Sequence, residues 1–167
     1  SNQGTIQADF EAFCTENATW LDDYALFMAL KETHNGGSWD VWPKSLGLRE
    51  AAALTEARVS LASLIKRFSF QQFLFFRQWK AVRNHAHEKG IQIIGDIPIF
   101  VAYDSSDVWA RPDLFHLDKD GKPTVVAGVP PDYFSPTGQL WGNPLYKWKL
   151  HKASGYTWWL ERIRASL

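Results

Sequence analysis

The chain has one cysteine among its 167 residues, Cys14, so no disulfide can form within it. A single thiol is typical of a reducing compartment, and we expect a cytoplasmic protein. Lys+Arg and Asp+Glu number 18 each, so the chain lacks the basic excess that binds nucleic acid or an anionic membrane. The best apolar run, residues 91–101, is broken by Gln92 and Asp96. It falls short of the roughly 18 apolar residues of a membrane helix.

Common motifs for phosphate, zinc or nucleophile chemistry are also missing. His85 and His87 lie two residues apart on a predicted helix and so face apart, unlike the i, i+4 pair of a zinc helix. Residues 104–107 (DSSD) offer two carboxylates and two hydroxyls, too few for calcium. We interpret them as the N-cap of a short helix that runs through Trp109. The sequence therefore predicts no metal and no organic cofactor.

The composition is that of a globular chain, with 46% hydrophobic and 22% charged residues. Apolar spacing predicts helices over residues 19–31, 49–66, 68–89 and 156–167. Residues 91–94 (IQII) follow a helix directly, which predicts a buried parallel strand. Residues 114–118 and 123–127 flank an Asp-Gly pair and predict a small β-hairpin.

Residues 128–146 (GVPPDYFSPTGQLWGNPLY) are the most informative segment. Their prolines and glycines argue against a helix or a central strand, yet the segment is rich in aromatic residues. Aromatic rings beside amides and a carboxylate suit a sugar, whose C–H faces stack on rings and whose hydroxyls need polar partners. The candidate sugar contacts are Asp132, Tyr133, Phe134, Gln139, Trp141 and Asn143. The alternative is a proline-rich connector whose aromatic side chains attach it to its own core.

Together with residues 95–110 (GDIPIFVAYDSSDVWA), this segment closely resembles the 4-α-glucanotransferases. These amylomaltases, or disproportionating enzymes, form glycoside hydrolase family 77 of the α-amylase clan. The resemblance continues through residues 13–17 (FCTEN), 20–31 (WLDDYALFMALK) and 155–164 (GYTWWLERIR). It covers nearly the whole chain, which resembles one piece of a much longer enzyme.

The resemblance implies an α/β fold that is part of a (β/α)8 TIM barrel. We expect residues 1–167 to be a mostly helical fragment of the catalytic barrel domain, with helical insertions, about one barrel strand and a small β-hairpin. Residues 91–94 would be that strand. An unpaired barrel strand leaves an open edge, so we expect the fragment to self-associate. Ser1 and Asn2 resemble the remnant of a cleaved tag.

The resemblance implies that Asp96 lies in the sugar site next to the nucleophile. Its position just past the predicted strand agrees with this, because barrel active sites gather beyond the C-terminal ends of the strands. Phe100 and Val101 stand where the wider clan usually has Asn-His, which favours a glucanotransferase over a hydrolytic amylase. The alternative is that Asp96 caps a turn before Pro98. The family's nucleophile segment, of the type Arg-Ile-Asp-His-Phe-Arg-Gly, is not in the chain, and residues 162–165 (RIRA) only echo its first letters. We therefore expect no catalytic residue here and no activity from the fragment alone.

The implied function of the longer enzyme is retaining transfer of α-1,4-glucan segments to the 4-hydroxyl of another glucan or of glucose. Its partners would be α-1,4-glucans, such as maltooligosaccharides and starch- or glycogen-derived chains. Two alternatives remain at this point: a fragment of a hydrolase of the same clan, and a stand-alone carbohydrate-binding module.

Overall fold

The computed structural model describes residues 2–166, which form two compact units. The helical unit consists of the residues up to Gly37 together with Ala51–Ile94. The loop-rich unit consists of Ser38–Glu50 and the residues from Gly95 onward. Within residues 2–166, no helix is both long and apolar enough to cross a membrane.

In chain order the elements are α1 (Asn2–Glu16), α2 (Ala18–Thr33), α3 (Lys44–Gly47), α4 (Ala51–Ser60), α5 (Ala62–Glu88), α6 (Ser106–Ala110), β1 (Val126–Val129), β2 (Gln139–Pro144), α7 (Trp148–Ala153) and α8 (Thr157–Ser166). The predicted helices are confirmed with shifted bounds. The predicted break near residue 67 lies instead at Leu61, between α4 and α5. Ser1 and Leu167, the first residue of the presumed tag and the last of the predicted C-terminal helix, lie outside the described residues.

Phenylalanine rings form much of the core of the helical unit. Phe73 of α5 is buried and lies 5.7 Å from Phe10 and 5.8 Å from Phe13, both on α1. Helix α2 is buried on more than one side, with Leu21, Ala25, Leu26, Phe27, Ala29 and Leu30 buried. The backbone bonds of these helices are internal, so rings without polar atoms can fill the space between them.

Helix α5 ends where the sequence predicts, at a glycine. Gly90 has φ +71°, a conformation that a Cβ atom disfavours. Its N–H donates to the carbonyl of His87, and the N–H of Ile91 donates to the carbonyl of Ala86, both at 2.9 Å. This pair of bonds is the Schellman motif that closes a helix C-terminus.

The predicted barrel strand at residues 91–94 is not formed in this structure. The segment carries no strand assignment, and Ile94 is 94% exposed. A parallel strand satisfies its N–H and C=O groups only through a neighbouring strand, and the described residues place none beside this one. The mostly helical character and the presence of a hairpin are confirmed.

The hairpin lies further along the chain than predicted. Around residues 117–123 the structure has a tight turn and a single bridge between Leu117 and Pro123, whereas β1 and β2 form the antiparallel pair. Gly128 faces Leu140 next to a bulge, and a Cβ on Gly128 would stand 2.7 Å from the carbonyl oxygen of Gln139. Both strands of a two-stranded sheet are edges, so β2 tolerates Gly142 and Pro144 where a central strand would not.

The loop-rich unit has a core of tryptophan, tyrosine and aliphatic residues. Trp109 on α6 is buried, its ring lies 6.0 Å from that of Trp42, and its Nε1 donates to the carbonyl of Leu46 at 3.0 Å. The cap predicted for α6 is confirmed, since the hydroxyl of Ser105 accepts the N–H of Val108 at 3.3 Å.

Candidate functional site

The tip of the β1–β2 hairpin is closed by its own short hydrogen bonds. The Oδ1 atom of Asp132 accepts the backbone N–H groups of Phe134 at 2.9 Å and of Ser135 at 2.8 Å. The hydroxyl of Ser135 donates to the carbonyl of Gly138 at 2.7 Å. Gly138 has φ +75°, and a Cβ there would meet the carbonyl oxygen of Val129 at 2.6 Å, so only glycine fits. The tip is an ordered turn although it contains no regular structure.

Two aromatic rings stand on this tip and face outward. Tyr133 is 95% exposed and Phe134 is 87% exposed, and their rings lie edge to face at 5.6 Å. The alternative that the aromatic residues attach the segment to its own core is therefore wrong for these two. It holds for Tyr146, which is buried. An exposed pair of rings on an ordered turn offers an apolar platform to a ligand.

Trp141 lies on β2 and is 48% exposed. Its Nε1 donates to the side-chain oxygen of Gln139 at 3.0 Å, and its ring meets Phe100 edge to face at 6.1 Å. The hydrogen bond brings Gln139 and Trp141 together. The bulge in the pair and Gly142, with φ +79°, interrupt the alternation of side chains before Asn143, so a shared face does not follow for that residue.

Asn143 is turned towards the protein rather than fully towards solvent. Its Nδ2 donates to the carbonyl of Val101 at 2.8 Å, and the residue is half-buried. This bond and the contact between Trp141 and Phe100 place β2 beside the segment that follows Asp96. Asp96 is exposed, and its Oδ1 accepts the adjacent N–H of Ile97 at 2.8 Å. A side chain that caps a turn makes this kind of bond, so the bond agrees with the alternative that Asp96 caps a turn before Pro98.

A half-buried polar cluster contacts this segment, and it was not predicted from the sequence. The Arg162 guanidinium lies over the rings of Trp158 at 4.8 Å and Trp159 at 5.2 Å. The indole N–H of Trp158 donates to Asp107 at 3.2 Å. Burial raises the pKa of the Asp107 carboxyl, and the charge of Arg162 opposes that rise. Burial likewise raises the pKa of the Tyr146 phenol. The only sequence signal for this cluster is residues 162–165 (RIRA), which echo the family's nucleophile segment.

Among residues 2–166, no group of three or more His, Cys, Asp or Glu side chains could hold a metal ion. The chemistry that these side chains offer is recognition, through exposed rings, amides and the exposed carboxylates of Asp96 and Asp132.

The model of glycoside hydrolase family 77, described as 4-alpha-glucanotransferase, matches residues 1–167. The chain belongs to this family. The family resemblance seen in the motifs is thereby confirmed over the whole chain.

Named members of the family show how much of such an enzyme the chain spans. It is 56% identical over 158 residues to a 4-alpha-glucanotransferase of Thermus thermophilus, covering 95% of this chain and 32% of the relative. It is 48% identical over 166 residues to the chloroplastic/amyloplastic 4-alpha-glucanotransferase of Solanum tuberosum, covering 98% of this chain and 29% of the relative. The chain thus spans about a third of the length of the curated relatives it matches.

A solved family structure has the same fold as the described residues. It is the amylomaltase from Streptococcus agalactiae in complex with acarbose, which aligns with a TM-score of 0.88 at 44% identity. The alignment covers 93% of this chain and 32% of the amylomaltase chain.

Proposed function

We propose that this chain is part of a 4-α-glucanotransferase. The enzyme cleaves an α-1,4-glucan, keeps the donor as a covalent glycosyl-enzyme and transfers it to the 4-hydroxyl of another glucan. The observation that carries the proposal is the family match over residues 1–167. The exposed aromatic tip of the hairpin supports it, because a glucan presents apolar C–H faces to such rings.

We further propose that residues 1–167 belong to the catalytic (β/α)8 barrel domain. Residues 91–94 become a barrel strand once the rest of the enzyme supplies neighbours for it. The exposure of Ile91, Ile93 and Ile94 supports this, since a strand buried on both faces is rich in such residues. Without those neighbours, the same residues are the surface through which the chain self-associates.

Retaining transfer needs two carboxylates about 5 Å apart, one as nucleophile and one as acid/base. We propose that both lie in the part of the enzyme outside this chain, so the chain alone is inactive. In the described loop-rich unit, Asp132 holds the hairpin tip and Asp107 is bound to Trp158. Neither arrangement leaves a carboxylate placed for attack on a sugar.

The proposed sugar site comprises Asp96, strand β2 and the tip of the hairpin. Asp96 contributes to the donor side, next to the nucleophile. Tyr133, Phe134, Gln139 and Trp141 contact the acceptor glucan, while Asp132 and Asn143 belong to the same site. Transfer exceeds hydrolysis when the intermediate is shielded from water while an acceptor is positioned, and rings at the tip provide such shielding. The acarbose complex of the similar amylomaltase supports a site for α-1,4-glucans.

The site assignment is tested by Trp141→Ala in the longer enzyme. Because one ring contact to the acceptor is lost, acceptor use weakens by about 1–3 kcal/mol. The melting temperature changes little, since Trp141 is half-exposed. The matched control is Trp148→Ala, which removes another half-exposed indole of the same unit and leaves acceptor use unchanged. A large loss of stability with normal transfer would make Trp141 a core residue instead.

The reaction itself is tested with maltotriose. Glucose together with longer maltodextrins identifies transfer, whereas glucose and maltose without longer products identify a hydrolase. We propose a cytoplasmic location on the basis of the single cysteine. The potato relative is named chloroplastic/amyloplastic, so fractionation of the source cell is the test.

A further inference from the structure

We propose that Arg162, Tyr146 and Asn143 are positioning residues, which fix the backbone just after Asp96 and thereby set where its carboxylate stands. The expected effect on catalysis rests on the proposed function, whereas the anchoring of the backbone does not. It also changes the role of Asn143, which acts through the protein backbone rather than as a sugar ligand.

Three side chains each donate to one carbonyl of a short irregular segment. Arg162 Nη2 donates to Pro98 at 3.1 Å and the Tyr146 hydroxyl donates to Ile99 at 2.9 Å. Asn143 Nδ2 donates to Val101 at 2.8 Å. Residues 98–101 have no strand ladder, so these carbonyls depend on side chains for their donors. Three anchors within four residues leave the segment little freedom.

The anchoring side chains are themselves held in place. Arg162 lies over the rings of Trp158 and Trp159, and its charge acts on the half-buried carboxyl of Asp107. Tyr146 is buried, and its ring stacks on that of Phe100 at 6.1 Å with only 8° between the planes. A donor held by packing places its carbonyl more firmly than a mobile surface side chain does.

The anchors act close to Asp96 along the chain. The carbonyls of Pro98 and Ile99 are two and three residues beyond it, and Asp96 also accepts the N–H of Ile97. If one anchor is lost, the carbonyl it served loses its donor and the segment relaxes. A displacement of about 1 Å at a substrate-positioning group can cost on the order of a hundredfold in rate.

The structural arm of the test is Tyr146→Phe, which keeps the ring and removes the hydroxyl. Ile99-Phe100 is the only Ile-Phe pair in the sequence, so a carbonyl-¹³C isoleucine and ¹⁵N phenylalanine label gives one cross-peak for the Ile99 carbonyl. We expect that peak to move upfield in Tyr146→Phe. The matched control is Tyr103→Phe, which removes a hydroxyl bonded to the Gly121 carbonyl at the same 2.9 Å and leaves the peak in place.

A second variant keeps the proposal testable if Tyr146→Phe does not fold. Asn143→Asp removes the amide donor to Val101. With a valine and alanine label, the Val101-Ala102 peak moves and the Val126-Ala127 peak serves as an internal reference. Either reporter peak staying in place in its variant, or the Ile99 peak moving equally in Tyr103→Phe, overturns the anchoring.

The catalytic arm uses the longer enzyme with maltotriose. For Tyr146→Phe we expect kcat to fall about tenfold or more while KM changes much less, because a misplaced Asp96 affects the reacting geometry. Tyr103→Phe keeps both constants near those of the parent enzyme. Equal losses of kcat in the two variants would show that the loss comes from lower stability, which would overturn the positioning role. If the parent enzyme transfers no glucan, the proposed function fails, while the carbonyl shifts still decide the anchoring.

Discussion

The two units differ in the kind of aromatic residue they use. The helical unit contains eight of the eleven phenylalanines, whereas the loop-rich unit contains seven of the nine tryptophans and four of the five tyrosines. All eight prolines also lie in the loop-rich unit. The difference follows the regularity of the backbone rather than the amount of core to be filled.

Helices satisfy their own backbone, so their rings need no polar atom. Irregular backbone leaves carbonyls without donors, and indole and phenol groups supply them while burying a large apolar surface. Trp39 Nε1 donates to the carbonyl of Tyr103 at 2.9 Å, and the Tyr103 hydroxyl donates in turn to Gly121. In such a unit, the polar atom of an aromatic side chain is part of the fold.

The largest effect is expected from Phe73→Ala in the helical unit. Removing a buried ring from the phenylalanine cluster lowers the free energy of unfolding by about 3–5 kcal/mol. Urea denaturation followed by far-UV circular dichroism measures it. Phe75→Ala, at an exposed position on the same helix, is the control and costs much less. Equal losses at the two positions would contradict the assigned core.

Trp109→Phe in the loop-rich unit sharpens the comparison. The phenyl ring fills most of the space of the indole. The carbonyl of Leu46 loses its donor, however, which costs about 1–3 kcal/mol. The same denaturation experiment measures it. Trp148→Phe, at a half-exposed position, is the control and should stay close to the parent protein. If Trp109→Phe is as stable as that control, the indole N–H adds nothing to the fold.

His151 makes the loop-rich unit sensitive to pH. It is fully buried among the rings of Tyr146 and Trp158, and burial lowers its pKa below the ordinary 6.5. Of the nearby charges, Arg111 lowers the pKa further and Asp113 raises it.

Below pH 6.5 the unfolded chain binds a proton that the folded chain resists. Stability is therefore fully present above that pH and falls as the pH drops towards the lowered pKa, with a slope of at most about 1.4 kcal/mol per pH unit. Denaturation midpoints between pH 7.5 and pH 5 measure the slope, which His151→Phe should reduce. His87→Gln, at an exposed position, should keep it. If the His151→Phe variant keeps the same slope, the pH dependence of stability comes from another group.

The smallest effect is expected at the hairpin tip. Asp132→Ala removes the acceptor for two backbone N–H groups and costs about 0.5–1.5 kcal/mol, whereas Asp132→Asn keeps an acceptor oxygen and costs less. Chymotrypsin, which cuts after aromatic residues, should cleave at Tyr133 and Phe134 faster in the alanine variant. Equal cleavage of the two variants would show that this turn does not depend on the side chain.

The sequence allowed prediction of the family, most helices and the exposed aromatic pair, because local spacing and long motif matches carry those features. Whether residues 91–94 form a strand could not be predicted from these residues alone, because a strand needs a neighbouring strand to pair with. The hairpin was predicted too early in the chain because two pairs of segments can form one. Tertiary contacts, which the sequence does not show, favour the later pair. The role of Asn143 was hidden because its partner Val101 lies 42 residues away.

The closed turn at the hairpin tip has an entropic consequence for whatever stacks there. Since Asp132 and Ser135 already order the backbone, a ligand does not have to freeze it, at about 1–2 kcal/mol per residue. It restricts only the side chains of Tyr133 and Phe134, which have two torsions each, at about 0.5–1.5 kcal/mol per side chain. Preorganisation of this kind lets a small pair of rings retain most of its contact energy as affinity.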